Sequence, residues 1–339
     1  MTCPAPSFQH LVRMTDEVGL LEHAAGIVPR YQHGYCVDDV ARGLVVVCRE
    51  QPPSAELTAL ARRYLDFLVQ AQAADGGFRN RLSFDRLWLD EPATCDWWGR
   101  ALWGLGTAAA RGPDAAIRDE SLARFGRGVQ ARSQWPHALA FAALGAAEVL
   151  DVRPDHAGAL GLLADVLAVL GDRTPDAAWP WPLPRLSYAN GAIAEAVIVA
   201  GWWLDDADAL RSGLRMLEWL MAGETRGGHL SVVPVGGWGP GERRPAFDQQ
   251  PIEVAAIADA CARAASVTAD PSWLTGVDMC VAWFLGDNDT GVPLIDEMSG
   301  GGCDGLTSTG RNPNQGAEST LAALAVLQHG RGSRTEPAR

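Results

Sequence analysis

Sorted by the spacing of their apolar positions, the helical stretches of this chain fall into two alternating sets. In residues 55–72, Leu57, Leu60, Ala61, Tyr64, Leu68 and Ala71 recur at the helical period, with Glu56, Arg62, Arg63 and Asp66 on the opposite side. The same one-sided pattern returns near 115–127, 155–169, 206–221 and 271–285, and more weakly over 6–24. The second set is apolar on nearly every face: 38–48, 97–110, 137–149, 191–203, 251–265 and 316–328. A helix that is hydrophobic all round is a buried helix. Its many Gly and Ala residues weaken it in water but let neighbouring helices come close.

One-sided and all-round helices alternate, six pairs in succession. This order predicts an all-α fold, an (α/α)6 toroid: a double ring of six helix hairpins, amphipathic helices outside and buried ones inside. A solenoid of stacked helix pairs is the rival architecture, but its repeats should be equal in length and these are not. Gly-rich turns at Asp75-Gly76-Gly77-Phe78, Gly227-Gly228-His229-Leu230 and Asp289-Thr290-Gly291-Val292 predict short β-hairpins in the loops. The pattern makes residues 1–329 one domain, followed by a disordered tail over 330–339.

Composition narrows the partners. The 339 residues carry a formal net charge of −13, with acids spread along the chain and no basic stripe, which argues against nucleic acid. No apolar run reaches the ~18 residues of a membrane span, and the first residues lack the pattern of a secretory signal. Seven dispersed cysteines without a C-x-x-C pair read as reduced, mostly buried thiols of a cytoplasmic protein. The chain has 13 Trp against 4 Tyr, and Trp88, Trp135, Trp179, Trp181 and Trp238 fall in probable loops. Flat apolar side chains there suit either sugar stacking or the capping of a large helical core.

The candidate chemistry lies just ahead of the buried helices. Six clusters precede or open them, in order Tyr35-Cys36-Val37-Asp38-Asp39, Cys95-Asp96-Trp97-Trp98, Gln134-Trp135-Pro136-His137, Tyr188-Ala189-Asn190, Asp248-Gln249-Gln250-Pro251-Ile252-Glu253 and Gln315-Gly316-Ala317-Glu318. In a ring of hairpins all six inner helices start at the same end, so the clusters meet at one funnel mouth. Helix capping accounts for some of Asp96, Asn190 and Asp248. It does not account for Asp39, Glu253 and Glu318, which lie inside or beside otherwise apolar helices. Metalloprotease, serine-hydrolase, P-loop and dinucleotide motifs are absent, and the histidines lack metal-ligand spacing. No metal or cofactor is therefore expected. A ring of carboxylates, amides and aromatics is the equipment of glycoside hydrolysis, which needs one protonated and one ionised carboxyl beside the bond.

Several stretches resemble a bacterial glycosidase-like, glycosyltransferase-associated group of the six-hairpin glycosidase superfamily. They include His10-Leu11-Val12-Arg13-Met14-Thr15-Asp16, His33-Gly34-Tyr35-Cys36-Val37-Asp38-Asp39, Asp85-Arg86-Leu87-Trp88-Leu89-Asp90-Glu91, Gly99-Arg100-Ala101-Leu102-Trp103 and Asn314-Gln315-Gly316-Ala317-Glu318. The resemblance implies the same toroid, an oligosaccharide or glycoconjugate as ligand, and a glycosyltransferase as a partner. It implies no particular reaction. The chain departs from the group at Val40, where Asn is expected, and at Trp97-Trp98, where the group carries Ser-His.

The resulting expectation is a glycoside hydrolase with Asp38 or Asp39 and Glu318 as the acid/base pair, and Asp96, Asp248 and Glu253 as alternates. Substrate-binding candidates are His33, Tyr35, Trp88, Asp90, Glu91, Trp98, Arg100, Trp135, His137, Trp181, Tyr188, Asn190, Gln250 and Gln315. A sugar epimerase or lyase on the same scaffold, or a non-catalytic glycan-binding partner of a glycosyltransferase, are the alternative functions.

Overall fold

The computed structural model describes residues 3–171 and 178–335. Its helices are α1 (Gln9–Arg13), α2 (Val37–Arg49), α3 (Ala55–Ala71), α4 (Asp96–Arg111), α5 (Ala115–Gly128) and α6 (Pro136–Val152), then α7 (Ala157–Leu170), α8 (Asn190–Trp203), α9 (Ala207–Gly223), α10 (Pro251–Thr268), α11 (Leu274–Phe284) and α12 (Ala317–Thr335). Local chemistry sets their starts. Ser54, Asp114 and Asp206 each turn a side-chain oxygen onto a free N–H of the first turn, while Pro136 and Pro251 begin helices where no amide proton is needed.

The even-numbered helices form the inner ring. α2 packs on α4, α4 on α6, α6 on α8, α8 on α10, α10 on α12, and α12 returns to α2. The outer helices α3, α5, α7, α9 and α11 each lie against inner neighbours and bury one face. The tightest crossing is α4 against α6. There a Cβ on Gly145 would stand 2.1 Å from the carbonyl oxygen of Leu102, and one on Gly106 would stand 2.2 Å from that of Gly145. Glycine is required because the two backbones touch. The fold is the (α/α)6 toroid.

Two features differ from the pattern-based expectation. Only one short helix, α1, forms within 6–24. Asp16 instead accepts hydrogen bonds from the amides of Val18 (2.8 Å) and Gly19 (3.2 Å), folding the next residues into a turn. At the other end α12 runs on through Thr335, so the helix passes the Gly330 boundary assigned to the tail; residues 336–339 lie outside the described residues.

Four two-stranded antiparallel pairs sit in the loops: β1 (Ala24–Ala25) with β2 (Val28–Pro29), β3 (Tyr35–Cys36) with β4 (Arg81–Leu82), β5 (Thr225–Arg226) with β6 (His229–Leu230), and β7 (Gly305–Thr307) with β8 (Gly310–Asn312). The second pair matters most for function. Tyr35 faces Leu82 and Cys36 faces Arg81, which brings the α3–α4 connection to the start of α2. None of the seven cysteines is in a disulfide, and five are buried. Among the described residues no helix is long and apolar enough to cross a membrane.

Candidate active site

The starts of α2, α4, α6, α8, α10 and α12 surround a cleft of ≈ 490 Å³ lined by Asp38, Asn80, Cys95, Asp96, Trp97, Arg100, Trp135, Tyr188, Gln250, Ile252 and Glu318. Three carboxylates from three helices therefore share one opening. Asp38 accepts from Arg100 Nη1 at 2.7 Å and from Asn80 Nδ2 at 3.1 Å. Asp96 accepts from the Tyr188 hydroxyl. Glu318 accepts from Arg42 Nη1 at 2.8 Å and is more open than Asp38, its side chain 38% exposed against 17%.

The aromatic walls are held from behind. Trp97 donates its indole N–H to the Phe78 carbonyl at 2.7 Å, which fixes the ring at the edge of the cleft. Tyr188 stacks on His137 with centroids 4.4 Å apart, and the imidazole Nε2 lies 2.9 Å from the Tyr188 carbonyl oxygen. Burial lowers the His137 pKa, so its ring is a neutral support. Trp135 stands on the rim, 51% exposed, with a free apolar face. The Arg100 guanidinium lies 4.6 Å above the Phe141 ring while it reaches Asp38.

Asp39 is adjacent in sequence but points behind the cleft. It is buried, accepts from Arg42 Nη2 at 2.5 Å and from the Cys36 thiol at 3.1 Å, and burial pushes its pKa up to about 6. Burial also drives the Cys36 thiol well above its ordinary range. Glu22, Cys36 and Asp39 bring ligand atoms within 4.8 Å of one another, but Arg81 already holds Glu22 and Arg42 holds Asp39. Guanidinium groups fill the role a cation would take.

Glu253 serves the wall rather than the cleft. It is buried, accepts from the Asn190 amide at 3.0 Å and from Asn190 Nδ2 at 2.8 Å, and ties α10 to α8. Burial pushes its pKa up to about 7, and its neighbour Glu224, also buried, is raised well above its ordinary range by burial and by Glu253. Asp248 is exposed and does not line the cleft; its carbonyl accepts from the Val235 amide at 2.9 Å.

Of the binding candidates, Arg100, Trp135, Tyr188 and Gln250 line the cleft. The others do not. Tyr35 is fully buried, with its hydroxyl on Asp16. Trp98 is fully buried and donates to the Gly128 carbonyl at 3.1 Å. Trp88 packs edge-on against Phe67. Trp181 joins Trp179, Trp219 and Trp238 in a ring cluster that covers the α9 side of the core. Asn190 and Gln315 are buried: Asn190 spans Glu253 and the Ser187 amide, and Gln315 accepts from the Ser299 hydroxyl at 2.6 Å. His33 is exposed beside His23, and Glu91 is exposed on its loop. Asp90 accepts from the amides of Asn80 (2.6 Å) and Arg81 (2.9 Å), so it positions Asn80 from outside the cleft. His137 stands behind Tyr188, as described.

Four lining residues were not among the candidates: Asn80, Cys95, Trp97 and Ile252. Cys95, Trp97 and Ile252 flank candidates in the helix-start clusters. Asn80 follows the Asp75-Gly76-Gly77-Phe78 turn, and it reaches the mouth only because β3 pairs with β4.

No protein-family model matches the chain, and no curated protein sequence does. Solved structures do match in fold. A sugar epimerase from a ruminal bacterium superposes with a TM-score of 0.67 at 13% identity, covering 96% of this chain and 95% of that one. The cellobiose 2-epimerase of Spirochaeta thermophila gives 0.66 at 14% identity over 97% and 93%. The cellulase Cel9M of C. cellulolyticum, in complex with cellobiose, gives 0.65 at 9% identity over 92% and 86%. At these identities the likeness is one of fold, and the fold serves both hydrolysis and epimerisation of sugars in those proteins.

Proposed function

We propose that this protein is a carbohydrate-active enzyme whose reaction is glycoside hydrolysis in the cleft at the inner-helix starts. The observation that supports it is the convergence of Asp38, Asp96 and Glu318 on one opening that also carries Trp97, Trp135 and Tyr188. Carboxyls beside flat aromatic faces suit a polar ring with an apolar face, and two carboxyls suffice for acid–base cleavage. Asp38 and Glu318 each lie in an ion pair with arginine, whereas Asp96 is held by a phenol. We assign the general acid's part to Asp96, which passes a proton to the departing glycosidic oxygen as the C–O bond breaks. Glu318 is the base that takes a proton from the water whose oxygen bonds to the anomeric carbon. Asp38, fixed by Arg100 and Asn80, orients the sugar hydroxyls.

The test is reducing-sugar release from aryl glycosides and short gluco- and manno-oligosaccharides by the wild type, Asp96→Asn and Glu318→Gln. Each variant should lose about 10²- to 10⁴-fold in kcat with unchanged folding. Full activity in both overturns the assignment. One observation favours epimerisation as a second reading: the Tyr188 hydroxyl on Asp96 is a ready proton path. A product with the substrate's mass in H2O that carries one deuterium at carbon when formed in D2O identifies that reaction.

A further inference from the structure

Beneath the polar cleft the axis of the toroid turns apolar. A cavity of ≈ 40 Å³ shares Arg100, Ile252 and Glu318 with the cleft above it; Arg42 also reaches its wall, and between its two charged ends it is walled by apolar side chains such as Val45, Trp103, Phe141, Leu144 and Ala322. Val45, Trp103, Phe141 and Leu144 belong to a small hydrophobic cluster distinct from the main core, and Trp103 lies stacked on Phe141 at 6.2 Å. The far end is closed by charge: Arg49, whose guanidinium lies 5.5 Å over Trp103, is paired with Asp259 at 2.5 Å, and Glu195 stands beside them. The cavity thus opens towards the carboxylates and is sealed behind.

A sugar ring is a poor occupant of such a space, which is too small for it and offers charged groups only at its two ends. Water is a poor one between those ends; apolar cavities stay dry and take apolar guests. The volume admits about three water-sized bodies, the bulk of a short carbon chain. We infer that the substrate is a glycoside bearing a short alkyl or acyl group, whose sugar sits among Asp38, Asp96 and Glu318 while the apolar group enters the axial cavity past Ile252. This rests on the hydrolase reading for the sugar's place, but its binding step stands apart from turnover.

The two are tested separately. Equilibrium binding of methyl, propyl and hexyl glycosides of glucose and mannose, measured by calorimetry on the Glu318→Gln protein, reads the cavity without catalysis. Burying two more methylenes should make the propyl glycosides bind about 10-fold tighter than the methyl ones, with no further gain for hexyl. Xenon, followed by ¹²⁹Xe NMR, should bind the wild type and be excluded by Ala322→Leu. Ala325→Val, with circular dichroism and thermal melts on both variants, guards against a folding defect and should also weaken xenon binding. Affinity that is flat with chain length, or xenon binding unchanged in folded variants, overturns the inference. Chain-length-dependent binding in a wild type that hydrolyses none of the glycosides upholds the cavity and overturns the hydrolase reading instead.

Discussion

Neighbouring residues on one helix do different work here, and Trp97 and Trp98 show why. Successive positions on an α-helix point about 100° apart, so one ring faces the cleft and the next faces the core. Trp135→Ala should therefore weaken glycan binding, as read by titration of intrinsic fluorescence, and leave the melting temperature within about 1 °C. Trp98→Ala should cost about 3–5 kcal/mol in urea unfolding, because it empties a fully buried site and removes the indole hydrogen bond to the Gly128 carbonyl. The sequence shows that aromatics cluster at helix starts. It does not show the rotation of each helix about its own axis, which is set by packing against both neighbours. That is why Trp98, Tyr35 and Trp181 read as binding residues and prove to be core. The same reason separates Asp38, in the cleft, from Asp39, behind it.

At the scale of elements, the buried pair Glu224 and Glu253 links the start of α10 to α8 and to the loop that follows α9. Both carboxyls are raised above their usual range by burial, Glu253 to about 7. A carboxyl whose folded pKa exceeds its unfolded one binds more protons in the native state, so its stabilising contribution is present at low pH and is lost as pH rises. The window runs from the ordinary glutamate value, about 4.3, to about 7. Stability followed by chemical denaturation should accordingly fall between about pH 4.3 and about pH 7. Glu253→Gln, which keeps the shape and removes the charge, should flatten that part of the profile; a slope as steep as the wild type's would rule the pair out as its source. Most elements were legible from hydrophobic period alone, because inner and outer helices differ in how many faces they bury. The opening stretch was the exception: Asp16 and Gly19 turn the chain where the apolar spacing continues. The approach of Asn80 was hidden for a different reason, since strand pairing between residues 35–36 and 81–82 is a long-range event with only weak local trace.

For the whole molecule, the decisive contact is where the ring closes. Arg42 on α2 reaches both Asp39 on its own helix and Glu318 on α12, and it is largely buried. Arg42→Met should destabilise the protein by about 3–5 kcal/mol in urea unfolding, because Asp39 is left buried without its countercharge. Adding Asp39→Asn should restore much of that loss, while glycan turnover stays low because Glu318 has lost its anchor. Recovery of turnover in the double variant would show that Arg42 does not position Glu318. The alternation of helix types made this closure legible as a topology. It named Glu318 as a neighbour of the Asp38 region, but not the arginine that joins them.

That closure also gives the molecule a sense of its own completeness. The guanidinium of Arg42 and the carboxylate of Glu318 are separated by 276 positions in the chain. During synthesis, Asp38, Arg100 and Tyr188 are all made while the ring still has a gap, and the gap is on the side of the proposed base. A nascent chain can gather most of the cleft and still lack the group that activates water. Under the proposed hydrolase reading, activity then arrives with the last inner helix, as a final step rather than by degrees, and any break that frees α12 withdraws it again.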